Sequence, residues 1–87
     1  MANHKSAVKR IRQTERRRER NRHIRNGMRT VVKHFREAVE AENRDDAAAK
    51  FAVAERTIRK AASKGVIPQR RADRSISRLA QRLGSIA

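Results

Sequence analysis

Apolar positions along the chain form three runs with a helical period, preceded by a long stretch that has none. The first run is Ile24, Met28, Val31, Val32, Phe35, Ala38 and Val39. Its spacing follows a single face of a helix. The second is Ala47, Ala48, Phe51, Ala54, Ile58, Ala61 and Ala62, and the third is Ala72, Ile76, Leu79, Ala80, Leu83 and Ile86. The second run is mostly Ala, so its helix is expected to pack closely. The third shows the clearest period in the chain.

Breaks in the pattern set the helix ends. Ser6 is a plausible N-cap for a first helix over 7–42, leaving residues 1–6 as a polar arm. Val8 and Ile11 add only a short apolar patch. Asn43-Arg44-Asp45-Asp46 reads as a polar break, with Asp45 or Asp46 capping a second helix over 47–63. Gly65 is a C-terminal stop. Pro68 suits the first turn of a third helix over 68–84, and Asp73 falls in or near that turn. Val66 and Ile67 are expected to tuck against the bundle end. Gly27 lies inside helix one, at a cost of about 1 kcal/mol relative to Ala. It could admit another backbone closely, or it could be a tolerated weak point.

Short connections make neighbouring helices antiparallel. The expected fold is therefore all-α: an antiparallel three-helix bundle in a single domain spanning 1–87. Helix one would be about 54 Å long and helices two and three about half that. Its N-terminal half must then overhang the bundle.

That overhang contains Arg12–His23, RQTERRRERNRH, with six Arg, two Glu and no aliphatic or aromatic residue. Nothing in it can join a core. It holds no Pro or Gly, so it favours helix once its charge is neutralised. Free of a partner, residues 1–22 are expected to be mostly disordered. The whole chain of 87 residues carries a net charge of +15 from 24 basic and 9 acidic side chains. Arg outnumbers Lys 18 to 6. The planar Arg fork suits phosphate oxygens, so the bias points to nucleic acid. Residues 1–36 carry net +11, 37–55 net −4 and 56–87 net +8. A partner would thus meet two regions and avoid the acidic one between them.

Two helices repeat one design. Arg18, Arg22, Arg25, Arg29, Lys33 and Arg36 step along helix one at a helical period. At about 100° per residue, that stripe lies roughly 120° from the apolar one. Arg71, Arg74, Arg78 and Arg82 do the same on helix three, roughly 130° from its apolar face. A solvated helix face normally mixes both signs, and these strips contain no acid. The charge map therefore assigns them to a polyanion, with Lys9, Arg10, Arg12, Arg16 and Arg17 on the overhang. It adds Lys60, Lys64 and Arg70 around the second connection.

Other functions find little support. Glu15 and Glu19 each have Arg residues three positions to either side, and Glu55 with Arg59 makes a four-residue pair. His4, His23 and His34 lack ligand spacing and lie among cations, so no metal or cofactor site is expected. The three Gly are isolated and form no phosphate loop. No catalytic constellation or small-molecule site is legible. With no Cys there are no disulfides, which fits a reducing compartment. No apolar run nears membrane-spanning length, and the most basic stretch lacks the apolar face of a membrane-surface helix or a transit peptide. No Tyr or Trp offers a stacking platform, so recognition must rest on phosphates and shape. A DNA-binding helix-turn-helix is the nearest alternative. It is disfavoured by Arg71, where that motif needs an apolar residue, and by Val66-Ile67-Pro68 interrupting the turn.

Several segments, taken together and in order, resemble one family. They are MANHKSAVKRIRQTERRRERNR, the Arg29-Thr30 pair, Lys64 to Ile67, and the run from Ala72 to Leu79. The chain is similar to the bacterial small-subunit ribosomal protein S-twenty family over nearly its whole length. The resemblance implies a three-helix bundle that binds 16S ribosomal RNA directly and early in assembly, within cytoplasmic ribosomes, with few or no protein neighbours. By position it puts RNA contacts on Asn3, His4, Lys5 and Ser6, on helix one from Lys9 through Lys33 including Asn21, and on Ser77 and Arg78. Pro68 departs from the family pattern, where His is usual, so any contact made by that His is in doubt here.

Overall fold

Three helices account for nearly all of the computed structural model, which describes residues 2–86, excluding the side chains of Ala2 and Asn3: α1 (Ala2–Glu40), α2 (Arg44–Ser63) and α3 (Gln69–Gly84). The fold is all-α, an antiparallel bundle built on α2, which packs against both of the other helices. α1 has 39 residues, about 58 Å at ~1.5 Å per residue. The molecule measures 67 × 21 × 13 Å, so α1 spans most of its length.

The helix ends differ from the expectation in physically clear ways. α1 begins at Ala2, so residues 2–6 are helical rather than a polar arm and Ser6 is not an N-cap. No Pro or Gly precedes Gly27, and the Ala, Arg, Lys, Gln and Glu of this stretch are good helix formers. Within the stretch expected to be mostly disordered when free, residues 2–22 are here continuous helix. α2 is capped by Asn43, one turn before Asp46: its side-chain Oδ1 accepts from the Asp46 backbone N–H at 3.1 Å. Asp45 and Asp46 occupy the first turn instead, where they favour the positive end of the dipole. Pro68 is the N-cap of α3 rather than part of its first turn, with φ −65° and ψ 147°. Its carbonyl accepts from the Ala72 N–H at 3.1 Å. Asp73 sits one turn further in and accepts from Gln69 Nε2 at 3.2 Å.

α1 and α2 end in the same way. At α2, Gly65 adopts φ 75°, its N–H donates to the Ala62 carbonyl at 3.0 Å, and the Val66 N–H donates to Ala61 at 3.0 Å. At α1, Glu42 N–H donates to Val39 at 3.0 Å and Asn43 N–H to Ala38 at 3.2 Å. Both are Schellman closures, which consume carbonyls the helix leaves over. The residue in the left-handed position at α1 is Glu42, at φ 56°. A side chain there costs about 1–2 kcal/mol, which Gly65 avoids.

The core is small and lies under the C-terminal half of α1. Phe35 and Ala38 enter from α1, Ala47, Ala54, Ile58 and Ala61 from α2, and Ala72, Ile76 and Leu79 from α3. Val66 and Ile67 plug the end of the bundle. Phe35 and Ile58 are the largest fully buried side chains. The Phe35 and Phe51 rings meet at 6.0 Å between centroids, tilted by 57°. Buried Ala residues let the helices approach closely. Ala48 and Ala80 were expected in the core but are exposed. Methyl side chains suit either face, so periodicity reads them poorly. Ile24 is the first residue of α1 packed against the core. The preceding turns project free, and Val8 and Ile11 stay 40% and 57% exposed.

Candidate nucleic-acid interface

On the projecting half of α1 every side chain from His4 to Arg20 is exposed. Two basic stripes run along its flanks. One is Arg18, Arg22, Arg25, Arg29, Lys33 and Arg36. The other is Lys5, Lys9, Arg12, Arg16 and Arg20, leading to His23. At about 100° per residue the two stripes lie roughly 140° apart, and Glu15 and Glu19 fall between them on the outer side.

Each stripe continues into a groove of the bundle. The first enters the groove between α1 and α3, about 510 Å³, floored by Met28, Val32 and Ile58. Arg29, Lys33 and Arg36 form one wall and Ser75 stands on the other. On α3, Arg71, Arg78 and Arg82 lie within roughly 60° of Ser75, so the two basic stripes flank one trough. Glu37 and Glu40 close its far end. Arg18, Asn21, Arg22, Arg25, Asn26 and Arg29 line a shallower furrow just before it. Asn21 Oδ1 is buried there with no hydrogen-bond partner within the chain.

The second stripe begins in a furrow lined by His4, Lys5, Lys9, Arg12 and Arg16. It ends at a groove between α1 and α2, where His23 faces Arg56, Lys60 and Lys64. Most of the residues expected to bind RNA thus separate into two tracks. Arg10 and Arg17 lie on α1 between the tracks, on the side that faces the core further along the helix. Arg70 and Ser77 lie roughly 140–160° from Ser75 on α3, away from the trough. The Asn3 side chain lies outside the described part. Arg56 was absent from the sequence-based set, although its four-residue spacing to Lys60 and on to Lys64 was a usable signal.

These cations have almost no partners within the chain. Among the described residues the only salt bridge is Arg59 to Glu55, at 3.1 Å. Glu15 and Glu19, expected to be held by neighbouring Arg, make none. A surface this basic repels itself unless an external polyanion neutralises it. Among the described residues no group of three His, Asp or Glu converges as a metal site. No helix there is long and apolar enough to cross a membrane.

Known proteins match the sequence of this chain along nearly its whole length. The family model for ribosomal protein S20 matches residues 2–84. The chain belongs to the ribosomal protein S20 family. It is 52% identical to small ribosomal subunit protein bS20 of Geotalea daltonii over 87 residues, all of both chains. The bS20 of Geobacter sulfurreducens is 49% identical over 86 residues, 99% of each chain. That of Sulfurimonas denitrificans is 48% identical over 86 residues, covering 99% of this chain and all of its own. The match spans the projecting half of α1 as well as the bundle, so the S20 likeness covers both basic tracks.

Proposed function

We propose that this chain is a structural constituent of the small ribosomal subunit that binds 16S ribosomal RNA directly and stabilises its folded arrangement during assembly. The observation that carries the reading is the pair of basic tracks on α1, unpaired within the chain, each continuing onto a second helix. Arg and Lys on these tracks contact phosphates, and the rod-like α1 reads RNA shape rather than sequence. Membership of a ribosomal protein family makes the chain a non-enzyme that works on cytoplasmic ribosomes. Its partner is RNA, with few or no protein neighbours. The contacting residues are those of the tracks, with His4, Ser6 and Asn21 adding polar reaches.

DNA is the competing polyanion. The α2–α3 turn does not support that reading: Arg71 is exposed and Val66 and Ile67 are buried beneath the turn. Competition between 16S ribosomal RNA fragments and duplex DNA at physiological salt tests the choice. The RNA is expected to win by at least ~10³-fold, the lower end of specific over non-specific binding. Equal affinity for the two would contradict the proposal.

A further inference from the structure

Gly27 is an interior helix glycine with no use inside the chain. A Cβ there would meet nothing within 4 Å, so no neighbouring helix exploits the missing side chain. The residue is exposed, and it lines the groove of about 320 Å³ between α1 and α2. Around it stand His23 from α1, Arg56 and Lys60 from α2, and Lys64 at the C-cap of α2. These three cations follow one another four residues apart, ~6 Å along the helix axis. None has a carboxylate partner among the described residues. The second basic track of α1 runs directly into this groove. A bare patch of helix backbone between a row of cations and an imidazole is a seat for a chain that is both anionic and bulky.

We infer that a ribose–phosphate backbone of the bound RNA crosses α1 at Gly27, its phosphates held by Arg56, Lys60 and Lys64 and its sugar edge against the bare helix. This rests on the RNA-binding reading and gives it a specific crossing point. The cations alone would accept any polyanion. The missing side chain adds room for close approach, and it makes the site sensitive to steric filling as well as to charge.

The test uses the full chain and 16S ribosomal RNA fragments with three variants. Gly27→Leu puts a good helix former into open space, so the thermal midpoint is expected to rise, while the filled groove lowers RNA affinity more than about threefold. Replacing Arg56, Lys60 and Lys64 together with Gln is expected to flatten the log–log salt slope by about 2–3. Replacing Arg18, Arg22, Arg25 and Arg29 with Gln reports on the other track. If that variant loses affinity while Gly27→Leu binds within about threefold of the parent, the crossing point is wrong and RNA binding stands. If neither set changes affinity, the RNA-binding reading falls and the inference falls with it.

Discussion

Replacing Arg18, Arg22, Arg25 and Arg29 with Gln is expected to weaken binding to 16S ribosomal RNA fragments by about 10²–10³-fold at physiological salt. Each neutralised phosphate releases roughly 0.7–0.9 of a counterion, worth ~0.6–0.7 log units at ~0.15 M salt. Four lost contacts multiply to that range. All four side chains are exposed, and none takes part in the core. Gln is also nearly as good a helix former as Arg. Circular dichroism and the thermal midpoint should therefore stay close to the parent, while titration with labelled RNA shows the loss. A binding change under about threefold would mean that this stripe is only a solvated face.

The second large effect is on folding. Phe35→Ala removes a side chain that is 0% exposed and the ring that meets Phe51. A Phe→Ala change in a core costs about 3–5 kcal/mol, because the lost burial is joined by a cavity. A chain of 87 residues has only about 4–13 kcal/mol of stability in total. The core is built largely from Ala methyls, which cannot collapse far to refill the space. The expected result is a midpoint lower by more than ~10 °C, or loss of cooperative unfolding altogether. Val53→Ala is the matched control. Val53 is 44% exposed, and its truncation should change stability by no more than about 0.5 kcal/mol. Equal effects from the two would contradict the placement of the core.

The core was legible because its large residues keep strict helical spacing. Phe35, Ile58, Ile76 and Leu79 fall on the predicted faces, and Val66 and Ile67 lie where a bundle end needs a plug. Ala48 and Ala80 were misread because Ala is neutral between faces. The sequence points to Asp45 or Asp46 as the cap of α2, while Asn43 makes the bond. Both residue types can cap, and only backbone geometry decides between neighbours. In the sequence Ser6 reads as the boundary of α1. Intrinsic propensity carries the helix through it to Ala2.

The candidate interface was legible in charge but not in partition. The Arg18–Arg36 stripe and the α3 stripe could be read from spacing. Their meeting across one trough could not, because it depends on which side of α1 each helix docks. The second stripe, from Lys5 to His23, was hidden among the same run of Arg, where neighbouring residues point in every direction. Only the position of α2 shows that it leads to Arg56, Lys60 and Lys64. Gly27 likewise remained open between close packing and weakness until the space around it was known.

The claim beneath these expectations is that the two basic tracks hold RNA through many simultaneous phosphate contacts. The salt dependence of RNA affinity measures that directly. With about ten phosphates neutralised, log affinity plotted against log salt concentration should fall with a slope on the order of −7 to −9. A slope near −2, meaning only two or three phosphates, would contradict it.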